Sequence, residues 1–238
     1  MSFLSERDYA TLILDGATVI LMIIVMILSS DGRKRGRDDD KFYFAILIVN
    51  IIMAVSDSLC YVFEYKIDII PNCTVISTIG LTIFFLMYVL VMMIWMDYCR
   101  IRFKERGASS GNLIRPIHIP GFVMLLIVII NVFTGWIFSY DSAGEYHRGI
   151  LYIVTYIVMA FYAIIGFVYL GRYKSRHKAG LLIPVWVYLL PIVFGLIFSF
   201  SVQGSASFAP ICVAMSLTFT YIGTINESMH VSYGSKTK

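Results

Sequence analysis

Seven stretches of this chain are apolar over nineteen or more consecutive residues. At about 1.5 Å of rise per residue, each is long enough to cross the roughly 30 Å hydrocarbon core of a bilayer as a helix. They run over residues 9–29, 42–65, 72–99, 117–139, 149–171, 181–202 and 207–227. Backbone polar groups in hydrocarbon must be satisfied within the segment or across a closed barrel. No alternating polar and apolar pattern for a barrel occurs, so helices are the expected form. The expected fold is an all-α bundle of seven transmembrane helices forming a single domain over residues 1–238.

Lys and Arg give the bundle a direction. The first, third and fifth connections carry Arg33, Lys34, Arg35, Arg37 and Lys41, then Arg100, Arg102, Lys104, Arg106 and Arg115, then Arg172, Lys174, Arg176 and Lys178; the tail adds Lys236 and Lys238. The opposite side holds only Arg7, Lys66 and Arg148. Basic residues stay on the cytoplasmic side of short loops. We therefore expect the N-terminus outside, the C-terminus in the cytoplasm, and a multi-pass protein of the cell membrane. The N-terminal "MSFLSERDYA" has acids where a secretory leader would be basic, and we read it as uncleaved.

Composition agrees. The chain of 238 residues is 59% hydrophobic and only 14% charged, against about 25% charged in a soluble domain. Its net charge of +4 follows from the inner loops and points to lipid headgroups, not nucleic acid. The four cysteines, Cys60, Cys73, Cys99 and Cys212, form no CxxC pair and no cluster with histidine, so no metal site is expected. A Cys60–Cys73 disulfide would need both at the outer surface, and Cys60 sits more than a turn inside its helix. Pro184 and Pro191 fall inside the sixth span and predict a kink there.

The polar residues within the spans are the candidates for function. "NIIMAVSDSLCYVFEYK" places Asn50, Asp57 and Glu64 seven residues apart, on one helical face. Acids in a membrane interior cost about 2.5–3.5 kcal/mol each on insertion scales and face the bundle or water. Counting along the spans, Asp57, Asp15, Asn131 and Tyr156 come to one level, roughly 5 Å outward of the midplane. The outer half holds eight acids (Glu6, Asp8, Asp15, Asp57, Glu64, Asp68, Asp141, Glu145) against three bases, with aromatics Tyr9, Tyr61, Phe63, Tyr65, Trp136, Tyr140, Tyr146 and Tyr152. An acidic aromatic mouth suits a small cationic ligand. The candidate ligand-binding residues are Asp15, Asp57, Tyr61, Glu64, Asn131, Trp136, Tyr152 and Tyr156. The bland alternative, interhelical hydrogen bonding, weighs most for Asn50 and Asn131. If Asp15 and Asp57 are close, the pair holds a proton or a cation between them. Asp97 in "WMDYCRIRFKER" is an acid among bases and is expected to pair with an arginine.

Enzyme chemistry is the weakest reading. There is no HExxH, no GxSxG and no phosphate-cradling glycine loop, and His118, His147, His177 and His230 lie apart at span ends and in loops. Nothing calls for a cofactor. A retinal protein needs a Schiff-base lysine in the last span, and "SFAPICVAMSLTFTYIGTINE" has none. Two readings stay open: a receptor or sensor taking its ligand from outside, and a small-solute or ion transporter using the midplane acids. Oligomeric state stays open as well.

The second span, "DDDKFYFAILIVNIIMAVSDSLCYVF", and the Tyr- and Trp-rich "LMYVLVMMIWMDY" that follows it resemble the seven-helix sensory region of clostridial membrane diguanylate cyclases and sensor histidine kinases. That group shows a basic inner loop leading to FxxLLxxNxxxxxxD, with Asn50 and Asp57 in the matching places. The resemblance implies a bacterial sensor of an external small molecule that drives a cytoplasmic output domain. This chain departs from the pattern, ending at "INESMHVSYGSKTK" without an output domain, so a cytoplasmic signalling partner or a missing C-terminal domain is expected. The topology also resembles that of G-protein-coupled receptors, but "DYCR" has a different order from their Asp-Arg-Tyr box and their Asn-Pro motif is absent.

Overall fold

The computed structural model describes residues 6–33, 38–64, 73–105, 114–141, 146–176, 190–191, 193–195, 197 and 208–234. The protein is helical almost throughout. The long helices are α1 (Glu6–Arg33), α2 (Asp38–Glu64) and α3 (Cys73–Glu105). A single turn, α4 (Ile114–Ile117), leads into α5 (Ile119–Thr134), and α6 (Tyr152–Arg176) and α7 (Phe208–Gly234) follow. Between α5 and α6 lies a two-stranded hairpin, β1 (Phe138–Tyr140) with β2 (Tyr146–Arg148).

Three helices are long and apolar enough to cross a membrane, over Tyr9–Ser30, Asp40–Phe63 and Cys73–Ile101. Shorter apolar helices cover Ile119–Thr134, Tyr152–Gly166 and Phe208–Ile222. The surface bears this out: α1 exposes Ile13, Ile20, Ile23, Ile24 and Ile27, and α5 exposes Phe122, Val123, Leu126, Ile129 and Phe133. Apolar faces of that extent belong against lipid. This is a helical membrane protein. Most of the sixth span (181–202), including Pro184, lies outside the described residues. Pro191 within it is helical and half-buried.

The helices differ in how much of themselves they bury. Inside the molecule lies 28% of the apolar window of α1, 44% of that of α2 and 56% of that of α3. Helix α3 is accordingly the central element, packed against α2, α5, α6 and β1, whereas α1 packs on α2 and α7 from the side. Its buried residues, among them Phe84, Phe85, Val89, Met92, Trp95 and Met96, cover most of its circumference, as expected of a helix surrounded by others. By contrast, α1 buries a single stripe, Thr11, Asp15, Thr18, Met22 and Val25, at alternating steps of four and three residues.

The fourth span is shorter than the sequence pattern gives it. The apolar run from 117 to 139 divides in two, because α5 stops at Thr134. Gly135 adopts φ 65°, ψ 18° and its N–H donates to the Asn131 carbonyl at 2.9 Å, a left-handed cap that glycine reaches without a Cβ penalty. The chain then turns into the hairpin, with Phe138 opposite Arg148 and Tyr140 opposite Tyr146. Gly149 closes the base of the hairpin with its N–H on the Ile137 carbonyl at 2.8 Å, and a Cβ there would collide with the Trp136 backbone.

Asn131 clips the hairpin to α5. Its Oδ1 accepts from the N–H of Ile137 at 2.5 Å and of Phe138 at 3.3 Å, and its Nδ2 donates to the Phe138 carbonyl at 3.1 Å. All of this is buried. Replacing Asn131 with Ala leaves backbone groups of the clip without partners, at a cost of about 2–4 kcal/mol. Asn131→Ala should lower the Tm of the purified protein by several degrees; a wild-type Tm would remove the clip from the account.

Candidate functional site

Two polar regions lie beside the C-terminal half of α2. The first is the seam between α1 and α2. Asp15 and Asp57 are each 1% exposed. Ser58 Oγ donates to Asp15 Oδ2 at 3.0 Å, which sets Asp15 against the turn of α2 that carries Asp57. On the same face of α1, Thr11 and Thr18 are buried one turn to either side, and Thr18 Oγ1 donates back to the Leu14 carbonyl at 2.8 Å. Farther along α2, Asn50 is fully buried and its Nδ2 donates to the Pro210 carbonyl in the first turn of α7 at 3.3 Å. Tyr43 on the same face donates to the Leu217 carbonyl at 2.8 Å. From Ser58 to Asn50 is about 12 Å along the helix. The seam is therefore acidic toward the C-terminal end of α2, and interhelical hydrogen bonds to α7 lie toward its N-terminal end.

The second region is a cluster of tyrosines between α3, the hairpin and α6. Tyr156 donates to the Tyr152 hydroxyl at 3.2 Å, and their rings meet edge-on at 5.4 Å. Tyr146 lies beside both Tyr152 and Arg148. Arg148 also stands over the Tyr152 ring, its Cζ 4.6 Å from the centroid. Tyr88 of α3 neighbours Tyr152, Tyr156 and Cys212, and Tyr61 of α2 comes near Tyr146. Phe85 supports the cluster, stacked on Phe138 at 5.6 Å and edge-on to Tyr152 at 6.1 Å. The contributing residues stand on four different elements, so the cluster depends on the tertiary fold.

Burial pushes the Tyr146 hydroxyl above its ordinary value, and the nearby Arg148 opposes that only in part. The hydroxyl therefore stays protonated through the neutral range and remains available as a donor.

The sequence candidates fall into distinct places. Asp15 meets Ser58, the residue after Asp57, and Tyr61, Tyr152 and Tyr156, all half-buried, belong to the tyrosine cluster. Asn131 is committed to the hairpin. Trp136, at 51% exposed, faces outward beside it. Glu64 closes α2 and is placed by its backbone alone, while Lys66, Asp68 and Glu145 lie outside the described residues. The cysteines are all buried free thiols, and Cys60 Sγ donates to the Ser56 carbonyl at 3.1 Å. Sequence reasoning passed over Ser58, Thr11, Thr18, Tyr88 and Arg148. The hydroxyls at Ser58, Thr11 and Thr18 were legible as neighbours of acids at helical spacing; Arg148 was counted only as a topology residue.

At the other end of α3, Asp97 Oδ1 lies 3.2 Å from His118 Nε2 and 3.6 Å from Arg100 Nη1. Tyr162 donates to the Ile117 carbonyl beside it at 3.2 Å. This cluster joins α3 and α6 to the corner between α4 and α5. Among the described residues no group of three or more His, Cys, Asp or Glu could hold a metal ion.

No protein-family model matches this chain, and no curated protein matches it.

The raised Tyr146 hydroxyl has a consequence for stability. A phenol whose folded value exceeds its unfolded value favours folding fully below the unfolded value, and that contribution is lost as pH rises through the interval between the two. Wild-type Tm should fall as pH rises past the ordinary tyrosine range near 10. In Tyr146→Phe that part of the decline should be absent, and identical alkaline profiles would contradict it.

Proposed function

We propose that this protein is a seven-span membrane receptor or sensor, N-terminus outside and C-terminus cytoplasmic, that binds a small cationic ligand from the outer side. Its binding surface is the tyrosine cluster of Tyr61, Tyr88, Tyr146, Tyr152 and Tyr156, with Asp15 and Asp57 supplying negative potential from the neighbouring seam. The observation that carries the reading is Arg148 over Tyr152. That ring face already accepts a cation, and the cation is the protein's own, delivered on the hairpin next to α6. A ligand amine entering the cluster would take the place of the guanidinium and so move the hairpin, which is joined through Asn131 to α5.

The asymmetry of Lys and Arg supports the orientation. With the C-terminus in the cytoplasm, an output partner or output domain would meet the basic ends of α3 and α6, as the resemblance to bacterial sensory regions implies. Ligand binding would then be read through α3, which touches both the cluster at its outer part and Asp97 and His118 at the other end.

A transporter is the second reading, favoured by one observation: two buried carboxylates on neighbouring helices, Asp15 on α1 and Asp57 on α2, of the kind that mark ion pathways.

The test is a thermal-shift screen of purified protein against polyamines, biogenic amines, amino acids and inorganic cations. A ligand that binds only the folded state raises Tm by mass action. An amine hit should be lost or weakened tenfold or more in Tyr152→Ala and strengthened in Arg148→Gln, where the competing guanidinium is gone. A hit unaffected by both substitutions would displace the cluster as the site. Flux of the same hit into liposomes would favour the transporter; binding without flux favours the receptor.

A further inference from the structure

Arg148 is exposed, and among the described residues no carboxylate pairs with it. The hairpin itself keeps its acid away. Phe138 stands opposite Arg148, Ser139 opposite His147 and Tyr140 opposite Tyr146. Side chains alternate along a strand, so Phe138, Tyr140, Tyr146 and Arg148 share one face and Ser139 and His147 the other. Phe138 is buried, which turns the first face to the bundle; Ser139 and His147 are exposed on the second. Asp141 follows β1 and is held there, its Oδ2 3.1 Å from His147 Nε2. What stands beside the guanidinium is aromatic: its Cζ is 4.6 Å from the Tyr152 centroid, and Tyr146 is its neighbour on β2. A guanidinium carries five N–H donors in a fixed fork that matches a carboxylate. The Tyr146 hydroxyl, which keeps its proton, adds a donor on the same face.

We propose that the ligand of the tyrosine cluster is an amino acid, whose ammonium takes the ring face of Tyr152 while its carboxylate receives the fork of Arg148 and the hydroxyl of Tyr146. The inference rests on the receptor reading, keeps the contact of ammonium and ring, and adds a carboxylate to the ligand. Charge is the reason. An amine alone would set a second positive charge beside the guanidinium it displaces, and like charges in a partly desolvated site repel. An amino acid brings the opposite charge with it, so the displaced guanidinium exchanges a ring for a bidentate ion pair, the stronger of the two contacts. Ring and guanidinium stand only 4.6 Å apart. A ligand whose ammonium and carboxylate are borne on one carbon fits so short a separation.

The experiment measures Tm of the purified full chain with each of the twenty protein amino acids, and then titrates every hit against its decarboxylated amine and its methyl ester. Both keep the ammonium and lack the carboxylate. At least one amino acid should raise Tm by mass action. Its amine and its ester should bind about tenfold more weakly or worse, the scale of a hydrogen-bonded pair between charged groups. Arg148→Gln should abolish that preference, weakening the amino acid and tightening the amine. Arg148→Lys keeps the charge without the fork and should restore part of it. Tyr146→Phe should weaken the amino acid more than the amine. An amine or ester that binds wild type as tightly as its amino acid overturns the proposal, and so does a preference that survives in Arg148→Gln. Amines that raise Tm when no amino acid does overturn it as well, and leave the receptor reading standing. Amino-acid binding untouched by Tyr152→Ala contradicts both, as does a Tm that no amino acid and no amine shifts.

Discussion

A polar group surrounded by hydrocarbon must find its partner within the protein, and most of this structure follows from that requirement. Asp15 lies on a helix whose other sides are isoleucine, leucine and valine, and Ser58 of α2 meets it at 3.0 Å. Rotating α1 by nearly half a turn would place the carboxyl in lipid and bury Ile13 or Ile20 in its stead. The single polar stripe thus fixes the rotation of α1, and through it the face that α2 offers. The same requirement recurs at Asn50 with Pro210, at Tyr43 with Leu217 and at Tyr221 with Leu28, each a side chain of one helix on a carbonyl of another.

The two halves of the bundle solve the problem differently. Helices α1, α2 and α7 use short polar side chains and backbone carbonyls along a narrow seam. Around α3, aromatic rings fill the space and the polar tips of tyrosine are gathered into one hydrogen-bonded group. Amphipathic rings allow that, since each buries a broad apolar body and still places a hydroxyl where it can pair. Helix α3 stands between the halves. It packs on α2 on one side and on α5, α6 and the hairpin on the other, so a change in either half reaches it directly.

Much of this was legible in the sequence. The runs 9–29, 42–65 and 72–99 fall inside α1, α2 and α3 almost completely, because length and hydropathy decide a membrane helix with little help from context. The rise per residue alone puts Asp15 and Asp57 at similar depths, and in the structure Ser58, next to Asp57, donates to Asp15. The hairpin could not be read, since "NVFTGWIFSY" continues the apolar run past Thr134 and only the left-handed Gly135 breaks it. Asn131 looked like a pocket residue for the same reason; its amide instead takes up the backbone groups that the broken helix frees. Arg148 was hidden by its usefulness as a topology marker, and its place over Tyr152 depends on a strand register that composition does not encode. The tyrosine cluster, assembled from four elements, needed the tertiary structure.

The contact between Asp15 and Ser58 is the interaction on which the account rests, and a double-mutant cycle measures it most directly. Stabilities of wild type, Asp15→Asn, Ser58→Ala and the double variant would be compared in one detergent. The account predicts non-additivity, with a coupling of about 1–3 kcal/mol between the two positions, as for a buried hydrogen bond to a charged group. Effects that simply add would mean that the two side chains do not sense each other, and that α1 is held on α2 by something other than its acid.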